Sequence, residues 1–366
     1  MSQYERFYNF SAGPAALPLP ALEEAARDLV CYPNAGASVL ELSHRGKVID
    51  GIIKEAEARL RRILNIPDNY YVMFLQGGAT TQFSMVPVNF LSEDGTAVYM
   101  EQGTWSKKAI AEAKRVGNVE IAWSDKENNF TRVPADDEYE VRADAKYFHI
   151  TSNETIHGVE FLRDPKSNGV PMVCDASSDF LGRPIDITKY ALVYAGAQKN
   201  IGPAGVTVSI LSDDFYKKLI DDDRRPIMMN YKTHVENKSL YNTCPVFAIY
   251  MVGLVLKWLE EEKGGIAGIY KENQAKAEML YKAIDESNGF YRGHAAADSR
   301  SIMNVTWRTP SDDLDKEFAK EAEAHKMLGL KGHRSVGGIR ASIYNATSLE
   351  AVEALVKFMA EFKNKH

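Results

Sequence analysis

The sequence predicts an α/β protein, in which a large domain with a mostly parallel sheet covered by helices is followed by a smaller α+β domain. Short β-favouring runs alternate with helical patterns through the first two thirds of the chain, which is typical of crossover connections between parallel strands. One such helical pattern runs from Thr104 to Val116. Seven runs carry the alternation, namely NYYVMFLQGG, TAVYMEQGTW, NVEIAWS, AKYFHITSN, VPMVCDASS, ALVYAGAQK and VTVSILS.

The pattern changes around Gly253, where long helical stretches replace the short alternation. Two strand-like runs, SIMNVTWRT and GGIRASIYN, are separated by another helical segment. We therefore divide the chain into a large domain over residues 16–259 and a small α+β domain over residues 260–366. The N-terminal segment, residues 1–15, is expected to pack with the small domain.

The sequence indicates where the C-terminal helix begins. Thr347 is followed three residues later by Glu350, which is the pattern of a capping box. A helix is therefore predicted from about Leu349, and its apolar residues recur near helical spacing.

Composition narrows the class of protein. The chain has 366 residues, 45% hydrophobic content and a formal net charge of -6, which argues against nucleic acid as its main partner. No apolar stretch approaches the roughly 18 residues of a membrane span, and the N-terminus lacks a signal-peptide pattern. The three cysteines, Cys31, Cys174 and Cys244, favour a reducing compartment, so a cytoplasmic location is expected. No paired His or Cys spacing predicts a metal site.

Lys199 is the first candidate catalytic residue. It follows the apolar run ALVYAGAQ and precedes the glycine-proline turn NIGPAG. Most lysines are surface residues, but this one is predicted at the carboxyl end of a buried strand, where open α/β sheets bind ligands. A partly desolvated amine there can attack a carbonyl and form a Schiff base.

Asp175 is the candidate electronic partner of Lys199. It ends another buried run, VPMVCD, and its commoner role would be a helix N-cap or a local turn. Pyridoxal phosphate requires a lysine for its aldehyde and a carboxylate that keeps its ring nitrogen protonated. The two residues together therefore predict a pyridoxal-phosphate site.

Two further strand ends fit the same cofactor. FLQGGATTQF leads from a strand into Gly77 and Gly78 and then into a helix, whose N-terminal N–H groups favour a phosphate. Trp105, in EQGTWSKKA, could pack in the core or stack on a planar ring.

Nine motifs in order resemble the phosphoserine aminotransferases, class V pyridoxal-phosphate enzymes with the aspartate-aminotransferase-type fold (fold type I). The motifs are NFSAGPAALP, ELSHRGK, QGGATTQF, GTWS, TSNETIHGVEF, DASSDF, YAGAQKNIGPAG, YNTCP and GHRSVGGIRASIYNA. The resemblance covers essentially the whole chain. It implies transfer of the amino group of glutamate to 3-phosphohydroxypyruvate in serine biosynthesis, a related reaction in vitamin B6 biosynthesis, and a homodimer with active sites at its interface.

The resemblance also implies residue roles. Lys199 would form the Schiff base, Asp175 would pair with the ring nitrogen, and Trp105 would stack on the ring. Contacts to the ring substituents and the cofactor phosphate would come from Thr155, Ala79, Thr80 and Gln198, and from Asn242 and Thr243 of the partner subunit.

The substrate carries a carboxylate and a phosphate, and arginine matches both groups in a bidentate manner. By resemblance, Arg340 would bind the α-carboxylate. The substrate phosphate would be surrounded by His44, Arg45, His333 and Arg334, some of them from the second subunit. Some family members carry an arginine at the position of Thr80, so this chain would depend on the remaining basic groups.

Two alternatives remain open at this stage. The first is a relative of the same fold, such as a serine–glyoxylate aminotransferase or a cysteine-desulfurase-like enzyme. A desulfurase needs a mobile nucleophilic cysteine, whereas Cys174 is predicted to lie within a buried strand. The second is a phosphate-binding module without catalysis, although neither a GxGxxG nor a GxxxxGK[ST] motif supports it.

Overall fold

The structure is a computed structural model that describes residues 4–220, 222 and 224–366. The strands, numbered in chain order, are β1 (Tyr8–Asn9), β2 (Tyr70–Leu75), β3 (Thr96–Glu101), β4 (Asn118–Ser124), β5 (Phe148–Thr151), β6 (Asn153–Glu154), β7 (Val159–Glu160), β8 (Met172–Asp175), β9 (Leu192–Gly196), β10 (Thr207–Ser212), β11 (Arg292–Gly293), β12 (Asn304–Arg308), β13 (Met327–Leu328) and β14 (Ile339–Ser342). The helices are α1 (Leu19–Val30), α2 (Lys47–Leu64), α3 (Gly78–Phe90), α4 (Thr104–Ala113), α5 (Asp213–Tyr216), α6 (Tyr231–Glu236), α7 (Val246–Glu261), α8 (Gly265–Asp285), α9 (Asp312–Ala324) and α10 (Leu349–Lys365).

A seven-stranded sheet in the order β2-β10-β9-β8-β5-β3-β4 forms the centre of the fold. Its strands are the seven apolar runs predicted from the sequence. All neighbouring pairs are parallel except those made by β10, which is antiparallel to both β2 and β9. The predicted mostly parallel α/β fold is confirmed.

Both faces of this sheet are buried, as a parallel sheet requires. Along β9, Val193 and Ala195 enter one hydrophobic core, and Leu192 and Tyr194 enter the other. Helices α2 and α7 pack on the first face, and α3 and α4 cover the second. None of the helices over residues 4–220, 222 and 224–366 combines the length and apolar content needed to cross a bilayer.

The C-terminal part has its own three-stranded antiparallel sheet, β11-β12-β14. A third hydrophobic core, formed by α8, α9 and α10, packs on it, with Trp307 and Phe318 almost fully buried. The N-terminal strand β1 pairs with β13, and Phe10 lies in this same core. Residues 8–10 thus contact the C-terminal core, whereas residues 1–3 of the predicted N-terminal segment lie outside the described residues. The domain boundaries at residues 15 and 259 stay predictions.

Two helix ends differ from the sequence prediction. The N-cap of α10 is Ser348, whose hydroxyl accepts the Ala351 N–H at 3.2 Å, and not Thr347. The Thr347 hydroxyl is buried and instead donates to the carbonyl of Ser342 at 3.4 Å. Helix α4 begins at Thr104 as predicted but ends at Ala113, three residues before Val116, where the chain turns into β4.

Candidate active site

The carboxyl ends of β8 and β9 place two of the predicted residues side by side. These strands are parallel neighbours, and Asp175 at the end of β8 lies opposite Tyr194 of β9. Lys199 follows the last residue of β9, Gly196, by three positions. The turn between them brings the lysine back over the edge of the sheet, as expected for a ligand site in an open α/β sheet.

Lys199 points its amine at groups from two other segments. Its Nζ donates to Thr155 Oγ1 at 2.7 Å and lies 5.0 Å from the ring centroid of Trp105. Burial lowers the pKa of Lys199, and the negative charges of Asp175 and Glu154 oppose this effect. The result is an oriented amine that loses its proton more readily than a surface lysine.

Asp175 is buried, with 3% of its surface exposed. Burial raises the pKa of its carboxyl group, while Lys199 and Ser177 act in the opposite direction. Its Oδ1 accepts the N–H of Ser177 at 3.0 Å, so the local turn considered as the commoner role is also present. The carboxylate retains acceptor capacity for a cationic donor within the site.

Trp105 is held by a residue that the sequence analysis missed. The buried carboxylate of Glu154 accepts the N–H groups of Trp105 and Ser106, at 3.1 and 2.8 Å, and the hydroxyl of Ser106 at 2.9 Å. A Cβ on Gly103, just before α4, would lie 2.3 Å from Glu154 Cδ. Glu154 therefore anchors the first turn of α4, and that glycine was the available sequence signal, since it cannot cap the helix with a side chain.

The N-terminus of α3 forms a second part of the site. Gly77 precedes the helix with φ of 91°, and no side chain caps the first turn, which contains Ala79 and Thr80. Unpaired N–H groups and the helix dipole favour an anion at such an end. Gln198 lies on the turn beside Lys199, and its carbonyl accepts the N–H of Ala15 at 2.9 Å.

Asn242 and Thr243 lie close to the same strand end. Asn242 Nδ2 donates to Gln76 Oε1 at 3.1 Å, and Gln76 Nε2 donates to the carbonyl of Thr243 at 3.2 Å. Gln76 directly precedes Gly77 and α3. Within the single chain these two residues therefore border the segment that leads into the anion-favouring helix.

Arg340, on β14 of the C-terminal sheet, faces Lys199, Thr155 and Trp105, which we call the Lys199 cluster. Its Nη1 approaches the carbonyl of Thr155 at 3.5 Å, and its Nε is buried without a partner among the described residues. Burial lowers its pKa, with a small opposing effect from Tyr344. A guanidinium held without a carboxylate is suited to bind an anionic ligand.

His333 and Arg334 lie on the loop that leads into β14. His333 Nδ1 is 2.7 Å from the hydroxyl of Ser335. Burial, followed by the charges of Arg340, Arg334 and Lys108, lowers the pKa of His333. These cations create a positive region next to the Lys199 cluster.

His44 and Arg45 stand apart from the residues above. They precede α2, and Arg45 Nε lies 3.3 Å from His44 Nε2. The N–H of Arg45 also donates to the hydroxyl of Ser43 at 3.3 Å. The single chain does not bring them to Lys199.

The donor set fits pyridoxal phosphate. Lys199 offers an amine for the aldehyde, Asp175 a carboxylate for a protonated ring nitrogen, and Trp105 a flat indole. The uncapped start of α3 offers N–H groups for the phosphate. Two buried donors, Trp105 Nε1 and Arg340 Nε, lack partners among the described residues, as expected of a site completed by ligands.

Two of the three thiols, those of Cys174 and Cys244, do not have the setting of a desulfurase nucleophile. Cys174 lies within β8 and Cys244 is also buried. Burial raises the pKa of the Cys174 thiol well above its ordinary value. A buried thiol of raised pKa is a poor nucleophile.

Comparison with known proteins agrees with this geometry. A family model described as aminotransferase class V matches residues 7–355. A phosphoserine aminotransferase of Geobacillus kaustophilus (strain HTA426) is 52% identical over 361 residues, which are 99% of each chain. The solved phosphoserine aminotransferase of Bacillus circulans subsp. alkalophilus is 51% identical, with a TM-score of 0.96 over 99% of both chains.

A second solved structure bears on the cofactor. The phosphoserine aminotransferase of Trichomonas vaginalis, described as bound to pyridoxal phosphate, is 43% identical with a TM-score of 0.92, over 97% of this chain and 100% of its own. The likeness extends over the whole fold in both solved proteins. This chain belongs to the phosphoserine aminotransferase family, within the pyridoxal-phosphate-dependent class V aminotransferases.

Proposed function

We propose that this enzyme transfers the amino group of glutamate to 3-phosphohydroxypyruvate, giving phosphoserine and 2-oxoglutarate, with Lys199 as its catalytic amine. One observation carries the assignment of Lys199. Its Nζ lies 2.7 Å from Thr155 Oγ1 and 5.0 Å from the Trp105 ring centroid, and its pKa is lowered by burial. Such an amine gives up its proton more readily than a surface lysine, which suits it to act as a general base.

Pyridoxal phosphate, when bound, supplies an aldehyde for a lysine and a ring that accepts the electron pair released at the substrate Cα. Asp175 would hold the ring nitrogen in its protonated form, and Trp105 would cover one face of the ring. The cofactor phosphate would bind to the N–H groups of Ala79 and Thr80 and to Gln198. Thr155 would lie beside the ring.

Lys199 would then move the proton of the reaction. In the first half-reaction its amine, displaced from the aldehyde by glutamate, would take the proton from the Cα of glutamate and pass it to C4′ of the cofactor. In the second it would take a proton from C4′ and give it to the Cα of the new amino acid. The Thr155 hydroxyl, at 2.7 Å from Nζ, keeps the amine directed into the site. The side chain of Trp105 would exclude water from one side, which strengthens the electrostatic effect of Asp175.

Arg340 would bind the α-carboxylate that both substrates carry. The distal phosphate of 3-phosphohydroxypyruvate would be bound by His333 and Arg334, with His44 and Arg45 of the second subunit. The position of His44 and Arg45 away from Lys199 in the single chain supports this division. A phosphate with several arginine partners is bound strongly because each hydrogen bond is charge-assisted.

A homodimer is part of the same proposal. The family resemblance assigns Asn242 and Thr243 of one subunit to the cofactor phosphate of the other, whereas their contacts with Gln76 place them beside α3 of their own chain. Exposed apolar side chains border both shared segments. Leu40 lies four positions before His44, and Tyr241 directly precedes Asn242. Exposed apolar residues of this kind are typical of subunit interfaces.

We also propose a cytoplasmic location, which is supported by three free thiols. Activity on the related phosphorylated keto acid of vitamin B6 biosynthesis belongs to the same proposal, because that substrate would use the same carboxylate and phosphate sites. Steady-state kinetics with both keto acids, and with glyoxylate as a control, would measure this specificity.

Borohydride reduction of the holoenzyme tests the role of Lys199. The yellow protein should bleach, and peptide mapping should find the reduced cofactor on Lys199. The Lys199→Ala variant should lose this label and about 10²- to 10⁴-fold in kcat. A label on another lysine, or near-normal turnover of the variant, would reject the assignment.

Hybrid dimers test the shared site. Lys199→Ala and Arg45→Ala chains, each weakly active alone, are mixed under conditions that exchange subunits. If the two residues serve one site from different subunits, the hybrid regains one complete site. A hybrid without regained activity would show that Arg45 acts within its own chain.

A further inference from the structure

The loop that carries His333 and Arg334 has a narrow base made of glycines. We call residues 333–337 the His333 loop. At its base the Gly332 N–H donates to the Gly338 carbonyl at 2.9 Å. Inside it the N–H groups of Val336 and Gly337 both donate to the carbonyl of His333, at 3.0 and 2.7 Å. The loop is thus a small closed unit whose direction depends on what lies beneath it.

Arg308, at the end of β12, lies beneath this loop. Its Nη2 donates to the carbonyl of Val336. A Cβ on Gly338 would lie 2.7 Å from the carbonyl of Trp307 and 3.1 Å from Arg308 Cγ, so the base of the loop packs directly on this strand end. Gly337 and Gly338 both have positive φ, 76° and 70°, which lets the chain turn back at this point.

The other end of the Arg308 guanidinium is fixed to α9. Its Nη1 donates to Asp312 at 3.1 Å and lies 3.8 Å from Asp315. Asp315 is itself held, because it accepts the N–H and the hydroxyl of Thr309 at 2.8 and 2.7 Å. Arg308 therefore connects a rigid helix start to the carbonyl of the loop.

The face of β12 that carries Arg308 already holds other parts of the site. Residues that alternate along a strand share one face. Asn304 accepts from Asn153 Nδ2 at 2.8 Å, and Thr306 donates to the His157 carbonyl at 2.9 Å, so both hold the segment that contains Thr155. Arg308 is the next residue on this face and contacts the His333 loop instead.

We propose that Arg308 is a positioning residue for substrate specificity, which holds the His333 loop in the conformation that binds the distal phosphate. The inference rests on the proposed function, which assigns that phosphate to His333 and Arg334. Arg308 is not itself a main phosphate ligand, because its charge is already paired with Asp312 and Asp315. Arg334 and Arg340, in contrast, have no carboxylate partner among the described residues.

Two measurements on the Arg308→Ala holoenzyme test this role. Hydrogen exchange of the Val336 and Gly337 amides should become faster than in the parent. The Kd for 3-phosphohydroxypyruvate in its half-reaction should rise about tenfold, since small misplacement of binding groups is costly. The Kd for glutamate, which lacks a phosphate, should change clearly less.

Arg292→Ala is the matched control. Arg292 lies opposite Arg308 on the neighbouring strand β11 and donates to the Thr309 carbonyl at 3.3 Å. Among the described residues it makes no hydrogen bond or ion pair with the loop. The Arg292→Ala variant should leave the exchange rates of the Val336 and Gly337 amides unchanged. It should also leave unchanged the ratio of the Kd for 3-phosphohydroxypyruvate to the Kd for glutamate. If Arg308→Ala does not fold, Arg308→Lys, which keeps the charge but has a single donor group, should show the same selective effect at smaller size.

The outcomes separate this inference from the proposed function. Unchanged exchange in the loop, or an equal rise of Kd for both substrates, would overturn the role of Arg308. His333→Ala serves as the reference for the loop itself. If His333→Ala raises the Kd of the phosphorylated substrate and Arg308→Ala does not, the positioning role of Arg308 is wrong but the assigned phosphate site stands. If His333→Ala has no effect, the assigned phosphate site is wrong.

Discussion

Lys199 Nζ donates a hydrogen bond to Thr155 Oγ1 at 2.7 Å, although the two residues follow different strands of the sheet. Thr155 comes shortly after β5 and Lys199 shortly after β9. The bond fixes the direction of an amine whose long side chain would otherwise sample several rotamers. Its contribution is therefore orientation rather than charge.

Removing the Thr155 hydroxyl should slow proton transfer. We expect Thr155→Val to lower kcat about tenfold, in line with the loss of one hydrogen bond of about 1.5 kcal/mol. Thr155→Ser keeps the hydroxyl and should stay close to the parent. Single-turnover rates with glutamate would measure the effect. Equal rates for the valine and serine variants would contradict an orienting role for the hydroxyl.

Arg340→Ala should weaken the binding of both substrates, because both carry an α-carboxylate. A hydrogen-bonded charge pair contributes about 1.5 to 3 kcal/mol, so KM should rise about 10- to 100-fold for each. Half-reaction titrations with glutamate and with 3-phosphohydroxypyruvate would measure the two effects separately. An effect confined to one substrate would assign Arg340 to a different anion.

The sequence predicts the residues proposed to touch the cofactor better than the residues that hold them in place. Asp175 and Lys199 could be brought together because the carboxyl ends of neighbouring parallel strands meet at one edge. The role of Glu154 could not be predicted, since its contact with Trp105 spans 49 residues and depends on how the segment after β5 folds back onto α4. Arg308 was missed for the same reason, because its contact with Val336 spans 28 residues. Local patterns do not encode such long-range contacts.

The buried imidazole of His149 should make stability depend on pH. It lies 4.8 Å from the ring of Tyr99, stacked on it, and 2.8 Å from the hydroxyl of Tyr194. Burial lowers its pKa from 6.5 to about 3. Below pH 6.5 the unfolded chain therefore binds a proton that the folded protein does not, so stability falls as the pH falls through this window.

A glutamine at this position would remove that dependence. His149→Gln loses the ring packing and should be less stable than the parent at pH 7. This deficit should shrink by about 2 kcal/mol between pH 7 and pH 5, since each pH unit is worth about 1.4 kcal/mol. Urea unfolding of both proteins at the two pH values would measure the difference. A constant deficit would show that His149 is not neutral in the folded state.

The buried charge cluster of Arg183, Asp179 and Glu160 gives the last prediction. Arg183 Nε lies 3.2 Å from Asp179 and 3.5 Å from Glu160, and all three side chains are nearly inaccessible. Burial and the nearby charge of Asp179 raise the pKa of Glu160, while Arg183 lowers it. The arginine therefore holds two carboxyl groups that burial alone would disfavour as anions.

Arg183→Met should lower the free energy of unfolding by about 3 to 5 kcal/mol, because it leaves two buried carboxyl groups without their cation. The loss should be largest at high pH and smaller at low pH, since carboxyl groups of raised pKa are then protonated in the folded state. Lys189→Met, which breaks the surface pair with Asp164, is the control and should cost clearly less, because solvent screens an exposed pair. Denaturant midpoints at pH 6 and pH 8.5 would measure both variants. A loss for Arg183→Met no greater than that of the control would show that the carboxyl groups are stable in the core without the arginine.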